Sequence, residues 1–188
     1  MGTILRVDLS HGMVWDEPLE PAVAEKYLGG TGLGVEYLYR EVPPGVEWDS
    51  PENRIIMTSG PMGGTPVAGT GTFSLVTKGP MTNLGVSTQA NGFWAAFIKF
   101  AGYDGVVIQG HSPRWVYLHV GEDKAELRDA TPILGKDTWE MEEAIRQDLA
   151  TTKRMSVFGI GPAGETRVRF AIVAGDQGHI CSKNGCGA

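Results

Sequence analysis

Alternation of apolar and polar residues along the chain predicts a series of β-strands. The segment Thr3–Leu9 (TILRVDL) alternates as a half-buried strand does, and a turn at residues 10–12 leads into a short second strand at Met13–Trp15. Gly105–Gln109 (GVVIQ) is apolar throughout, which is typical of a strand buried on both faces. The pattern predicts further strands at Arg54–Ser59, Phe73–Lys78, Leu84–Thr88, Met155–Ile160 and Arg167–Ala174, and a β-hairpin over Trp115–Val120 and Lys124–Arg128.

Helical periodicity is clearest in Thr138–Leu149 (TWEMEEAIRQDL), where apolar residues share one face and the acidic residues form a solvated opposite face. Pro21–Leu28 has proline in its first turn and ends before two glycines, as a short helix does. Two further helices are predicted at Leu33–Val42 and Phe93–Ala101. Because strands and helices do not alternate as regular βαβ units, the predicted fold is a single α+β domain over residues 1–188 with mixed or antiparallel sheets.

Glycine and small hydroxyl residues are concentrated between Gly60 and Asp104, which makes this stretch the first candidate for a binding site. A glycine-rich loop that leads into a helix presents backbone N–H groups and a positive dipole end to a phosphate. One interpretation is therefore a site for a flat, phosphate-bearing cofactor, and the other is a turn-rich β region in which glycine forms tight corners. Neither common phosphate signature, G-x-x-x-x-G-K-S/T or G-x-G-x-x-G between strand and helix, is present.

Two more glycine-rich segments have alternative interpretations. GGTGLG, between the first two predicted helices, is either another phosphate loop or a helix C-cap followed by a tight turn. The closing segment, GDQGHICSKNGCGA, is predicted to be a loop and contains both cysteines, Cys181 and Cys186. Two thiols do not make a disulfide framework, and C-x4-C supplies only half of a metal or iron–sulfur site, so small buried cysteines are the favoured interpretation.

The net charge and the hydropathy of the chain exclude some classes of binding partner. The formal net charge of -6 argues against nucleic acid or an anionic membrane as the main partner. No apolar run approaches the roughly 20 residues of a membrane span, and the beginning MGTILRVDLSHG lacks a signal-peptide layout. The expectation is a soluble, cytoplasmic protein.

Several short segments, taken together and in order, resemble the N-terminal domain of the aldehyde ferredoxin oxidoreductase family. They are ILRVDLS, YLGGTGLG, SPENRIIMTSGPMGGTP, TKGPMT, IKFAGYDGVVIQG, ELRDAT, GIGPAGE and GCGA. The resemblance implies two related β-sheets flanked by helices that form a concave cradle for a tungsten or molybdenum bis-pyranopterin. Because the dithiolene sulfurs of such a cofactor hold the metal, the domain need not supply a Cys or His ligand.

The resemblance also implies which residues hold the cofactor. Thr72 lies where the family usually has an arginine for the pterin phosphates, and Lys78 or Lys99 is a candidate to replace that charge. The backbone of Asn91 and that of Cys181 are implied to contact a Mg²⁺ ion that bridges the phosphates. The implied cofactor-binding residues are Gly71, Thr72, Lys78, Asn91, Gly92, Ile180, Cys181 and Lys183.

The activity that the resemblance implies is oxidation of a small aldehyde to its carboxylic acid. The electrons would pass through a 4Fe–4S cluster, bound by a missing portion or a partner chain, to ferredoxin or an electron-transfer subunit. Two alternatives are a subunit of a related aromatic acyl-CoA reductase and a non-catalytic pterin-binding module. Family members continue for hundreds of residues, so the chain is expected to be a fragment or one part of a split enzyme. His179 is the best-placed titratable residue, either as a proton relay or as a structural hydrogen-bonding group.

Overall fold

Eleven strands and five helices make up the described part of this computed structural model, namely residues 2–121, 124–181 and 184–188. The strands β1–β11 span, in order, Thr3–Asp8, Met13–Pro18, Arg54–Ser59, Phe73–Lys78, Gly85–Ala90, Gly105–Gln109, Val116–Val120, Ala125–Asp129, Phe158–Gly159, Val173–Gly175 and His179–Cys181. The helices α1–α5 span Pro21–Tyr27, Gly30–Glu41, Trp94–Phe100, Thr138–Asp148 and Pro162–Glu165, and a 3₁₀ turn spans Thr131–Ile133. None of the described helices has the length and apolar character needed to cross a membrane.

The largest sheet has six strands in the order β2-β1-β6-β3-β4-β5. The pairing of β1 with β6 is parallel and the other four pairings are antiparallel. A second sheet has the order β11-β10-β9, and β7 pairs with β8 as the predicted hairpin, whose turn residues 122–123 lie outside the described ranges. The predicted α+β class, with mixed and antiparallel sheets flanked by helices, is confirmed.

The six-stranded sheet is covered on both faces. Helix α2 packs on one face, where Leu33 belongs to one buried cluster with Ile56 and Val76. It approaches closely because residue 34 is glycine: a Cβ there would lie 2.6 Å from Cγ2 of Val76. Helix α3, the β7–β8 hairpin and the three-stranded sheet cover the other face. Strand β6 is covered on both faces, as its apolar sequence predicts. The half-buried strand predicted for β1 is instead buried on both faces, because the network described below satisfies its polar residues Arg6 and Asp8.

The predicted amphipathic helix is confirmed as α4. Asp137 accepts the N–H of Glu140, and the Glu140 carboxylate accepts the N–H of Asp137, so the helix begins with a reciprocal capping box. Met141 and Ile145 are buried beside Val157, and this contact places α4 against the segment that leads into β9.

The last third of the chain departs from the predicted strands. The strand predicted at Arg167–Ala174 is wrong for most of its length, since regular pairing covers only β10. Arg167 has a left-handed φ of 55°, and the N–H of Val168 donates to Ala163, so the chain turns there instead of extending. The loop predicted at GPAGE forms α5, and the strand predicted at Met155–Ile160 shrinks to β9. The closing segment, predicted as a loop, includes β11.

GGTGLG is not an open loop, because α2 begins at its second glycine. Leu28 and Gly29, with φ of 62° and 154°, make the break between α1 and α2. The interpretation as a helix end followed by a tight turn therefore accounts for this segment better than a phosphate loop does.

A buried polar network lies at the end of the sheet where β1 and β6 finish and β3 begins. The Arg6 guanidinium donates to both oxygens of Glu41 over 2.6 and 2.8 Å, and Nε of Arg54 donates to Glu41 over 2.9 Å. Gln109 accepts from Arg6 and donates to Asp8, which extends the network across β6. Charges are buried here because each one has partners.

Asp8 makes the stability of this end depend on pH. Burial opposes ionisation of its carboxyl, but hydrogen bonds from His11 and Gln109 outweigh that effect and lower the pKa of Asp8 from 3.8 to about 2. A lowered carboxyl pKa stabilises the fold above about pH 4, and the stabilisation is lost as the pH falls from about 4 to about 2. We expect Asp8→Asn to cost about 2 kcal/mol near neutral pH and progressively less in acid. Urea unfolding of the wild type and of Asp8→Asn between pH 2 and 7 measures this difference in the free energy of unfolding. A difference that stays constant over the whole pH range would contradict the prediction.

Candidate cofactor-binding site

The start of β4 and the end of β5 form a corner built from the glycine-rich stretch. Phe73 pairs with Ala90 at the end of the ladder. Thr72, just before β4, and Asn91, just after β5, therefore lie next to each other beyond this last pair. The Thr72 hydroxyl donates to Oδ1 of Asn91 over 2.6 Å. One step further out, a Cβ on Gly71 would lie 2.9 Å from the carbonyl oxygen of Gly92. Four of the implied cofactor residues, Gly71, Thr72, Asn91 and Gly92, therefore share one place, which we call the strand-end corner.

The β10–β11 hairpin reaches the same corner. Asp176, in the turn between the two strands, accepts the backbone N–H of Phe93 over 2.7 Å. A Cβ on Gly92 would lie only 2.6 Å from Oδ2 of Asp176. His179 and Ile180 are exposed on β11, which packs beside β5. The two glycine-rich regions of the sequence thus converge in space, through Asp176.

The two cysteines are buried thiols, as predicted. Cys181 is fully buried and packs in one cluster with Phe73, Leu75 and Cys186. Burial, together with the neighbouring Cys186, raises the pKa of Cys181 to about 12. The Cys186 thiol donates to the carbonyl of Cys181 over 3.4 Å, so a Mg²⁺ ion bound by that carbonyl would share it with the thiol. Among the described residues, no group of three or more His, Cys, Asp or Glu is placed to hold a metal ion.

The lysines proposed to replace the missing charge lie elsewhere or outside the described ranges. Lys78 is at the opposite end of β4 from Thr72, and its ammonium donates to the carbonyl of Val46. The Lys99 ammonium is buried in an ion pair with Asp104. We therefore do not assign Lys78 or Lys99 to the site, because strand length separates the first from the corner and an ion pair holds the second. Lys183 lies outside the described residues.

Small hydroxyl residues of β3, β4 and β5 make hydrogen bonds on the α2 side and on the α3 side of the sheet. Thr31, in the first turn of α2, has its hydroxyl 3.0 Å from the hydroxyls of both Ser74 and Ser87. The buried Ser59 hydroxyl donates to the carbonyl of Ala95 at the start of α3. Sequence reasoning missed these residues and Asp176, because single polar residues on strands and in turns carry no signal of which partners they will meet.

The corner has the chemistry that a phosphate and a Mg²⁺ ion require. The missing Cβ atoms of Gly71 and Gly92 let the backbone of the corner pack closely against itself and against Asp176. The side chains beside them, Thr72 and Asn91, offer hydroxyl and amide oxygens. Hard cations such as Mg²⁺ take oxygen ligands, and backbone amides suit phosphate oxygens. The residues present therefore fit a phosphorylated cofactor held by neutral groups.

Comparison with known proteins identifies a matching family and several relatives of similar sequence. Residues 4–188 match the family described as aldehyde ferredoxin oxidoreductase, N-terminal domain. Tungsten-containing aldehyde ferredoxin oxidoreductases from Pyrococcus abyssi and Pyrococcus furiosus are 36% and 37% identical over 187 residues, which is 100% of this chain and 31% of each relative. An aliphatic sulfonate oxidoreductase, WOR-like subunit, from Pyrococcus furiosus is 31% identical over 203 residues and matches along 32% of its length.

A solved structure has the same fold. The active site complex BamBC of benzoyl coenzyme A reductase, in complex with 1,5-dienoyl-CoA, is 39% identical to this chain and superimposes with a TM-score of 0.95. The match covers 99% of this chain and 28% of the BamBC chain. The chain thus spans about a third of the length of the relatives that it matches.

Proposed function

Because the chain belongs to the aldehyde ferredoxin oxidoreductase family, whose N-terminal domain it matches, we propose that it is the part of a tungsten or molybdenum oxidoreductase that holds a bis-pyranopterin cofactor. The observation that carries the proposal is the convergence of the strand-end corner and the β10–β11 hairpin at Asp176. The preferred reaction is oxidation of an aldehyde to a carboxylic acid, after the named activity of the first relatives.

The chain's own residues would bind and orient the cofactor, which supplies the redox chemistry when it is bound. The Thr72 hydroxyl and the backbone at Gly71 and Gly92 would contact the pterin phosphates. The backbone of Asn91 and that of Cys181 would contact a bridging Mg²⁺ ion. Backbone contacts with Ile180 and a charge from Lys183 complete the proposed set. His179, exposed on β11, would lie at the edge of the site, either as a proton relay or as a structural hydrogen-bonding group.

The exposed apolar side chains beside the corner support a larger assembly. Phe93, Phe97 and Phe100 form an edge-to-face row along α3, and Phe93 and Phe100 are 52% and 67% exposed. Residue 64, in the glycine-rich stretch, must be small here, because a Cβ on Gly64 would lie 2.9 Å from the Phe100 ring. Exposed apolar patches of this kind mark interfaces. We propose that the rest of the enzyme, about two-thirds of each relative's length, covers this row and carries the 4Fe–4S cluster, the substrate pocket and the contact with ferredoxin.

Metal and pterin analysis of the whole, anaerobically purified protein tests the cofactor. We expect about one tungsten or molybdenum atom and about two pterins for each copy of this chain. Aldehyde-dependent reduction of a viologen dye would support the preferred reaction, while cofactor without turnover would favour a non-catalytic pterin-binding module. Folded protein from tungstate- and molybdate-supplied cells that contains neither metal nor pterin would refute the proposal.

A second candidate reaction is reduction of an aromatic acyl-CoA. The observation that favours it is the similarity to BamBC, with 39% identity and a TM-score of 0.95. An assay of the loaded protein separates the two: oxidation of reduced viologen with benzoyl-CoA, but no dye reduction with aldehydes, favours the acyl-CoA reaction. The opposite pattern favours aldehyde oxidation.

A further inference from the structure

Asp176 connects three segments of the chain through a buried carboxylate. Its side chain is 7% exposed and accepts the N–H of Phe93 over 2.7 Å, the Ser156 hydroxyl over 2.8 Å and the N–H of Val157 over 3.1 Å. Its own N–H donates to the carbonyl of Val157. The carboxylate charge is therefore satisfied by protein donors, as a buried anion next to a phosphate site needs to be.

The backbone at Asp176 is in a conformation that a non-glycine residue adopts only with support. Asp176 and Gln177 have φ of 45° and 61°, and the N–H of Gly178 closes the turn on the carbonyl of Gly175. A left-handed φ is uncommon for residues other than glycine, and aspartate adopts it more readily than most because its side chain can hydrogen-bond nearby. Such conformations persist where surrounding contacts over-determine them, and they occur frequently at ligand sites.

The contact with Phe93 orients the backbone of the strand-end corner. The Phe93 N–H and the Gly92 carbonyl belong to one peptide unit, which is planar, so holding the N–H also fixes the direction of the carbonyl. That carbonyl lies 2.9 Å from the position of a Cβ on Gly71. Gly92 itself has a φ of 128°, and a Cβ there would collide with the Asp176 carboxylate. The Asp176 carboxylate can therefore occupy its position only because residue 92 is glycine.

We propose that Asp176 is a positioning residue for the cofactor: it locks the Gly92–Phe93 peptide and so presents Asn91, Gly92 and Gly71 to the phosphates. This inference rests on the proposed function. Some residues hydrogen-bond to ligand-binding groups without touching the ligand, and replacing them typically lowers the affinity for the ligand by about 10–100-fold. Asp176 would thus control cofactor retention without touching the cofactor.

The test compares Asp176→Asn with Asp8→Asn in the whole protein. Asp8 is a matched control, because it is also 7% exposed and accepts two backbone N–H groups, but it lies at the other end of the sheet. Metal and pterin content per folded protein, the rate of cofactor loss and hydrogen exchange of the peptide containing Phe93 are measured for both. For Asp176→Asn we expect at least about tenfold faster cofactor loss and faster exchange at Phe93. For Asp8→Asn we expect neither.

The outcomes separate this inference from the proposed function. A wild-type protein without metal and pterin refutes the proposed function itself. A loaded wild type together with full retention by Asp176→Asn, or equal loss by Asp8→Asn, overturns the positioning role alone. If Asp176→Asn does not fold, Gly92→Ala takes its place, since the added Cβ meets the carboxylate. Retention of cofactor by Gly92→Ala, with unchanged exchange at Phe93, then overturns the inference.

Discussion

Replacing Gly175 with alanine is expected to destabilise the protein by about 3–5 kcal/mol, the range of severe core substitutions. An added Cβ would lie 1.7 Å from the carbonyl oxygen of Val157 and 2.7 Å from its carbon. Both atoms are backbone, so no side-chain rotation relieves the clash. Gly175 pairs with Phe158 on one side and with His179 on the other, so β10 cannot move without loss of the small sheet.

Thermal unfolding of the whole protein measures the effect, which corresponds to a fall in the apparent midpoint of about 10 °C. Gly60→Ala is the matched control, because nothing lies within 4 Å of its added Cβ. The control is expected to change stability by less than about 1 kcal/mol. A Gly175→Ala protein that unfolds at the wild-type temperature would mean that β10 and β9 are further apart than described.

The second large effect is expected from Glu41→Gln, at about 3–5 kcal/mol. The substitution removes the charge that neutralises Arg6, which is 6% exposed, and Arg54. Burial opposes ionisation of Glu41, but its bonds to these two guanidinium groups outweigh burial and lower its pKa below 4.5. The charged pair therefore stabilises the fold above about pH 4.5, and the difference between wild type and variant shrinks as the pH falls below that value.

Asp49→Asn serves as the control for Glu41→Gln. Asp49 lies 3.5 Å from Arg167, the two side chains are 44% and 63% exposed, and such surface pairs contribute about 0–1 kcal/mol. Urea midpoints at pH 7 and pH 3.5 for the wild type and both variants complete the measurement. Equal midpoints for the two variants would show that burial adds nothing to the Glu41 network.

Most of the large sheet could be predicted because its strands are specified by local alternation. The bounds of β3, β4 and β6 match the predicted ranges, and the apolar run of β6 indicated a strand covered on both faces. The short strands β9–β11 could not be predicted in the same way. Their geometry depends on two left-handed residues at Asp176 and Gln177 and on backbone contacts with the tail, such as Gly187 against Ala171. Those contacts join residues whose proximity no local pattern encodes.

The candidate site was predictable only in part. The glycines and the Asn91-Gly92 turn indicated where backbone could approach a ligand, and the structure brings these residues together with Thr72. The charge that the resemblance led us to expect from Lys78 does not lie at the corner, because strand β4 carries Lys78 to the far end of the sheet. The sequence did not predict a role for Asp176, because the role of a carboxylate in a turn depends on which hydrogen-bond donors the fold brings to it.

The parallel pairing of β1 with β6 has a consequence for how the protein folds during synthesis. Asp8 and its partner Gln109 are separated by 101 residues, whereas β2 follows β1 after a short turn. At about 5–20 residues per second, a ribosome makes that intervening stretch in roughly 5–20 s, during which one edge of β1 has no neighbour. Open strand edges pair readily with other chains. The yield of soluble protein should therefore depend on how quickly translation delivers β6, and slow codons between residues 20 and 105 should lower it.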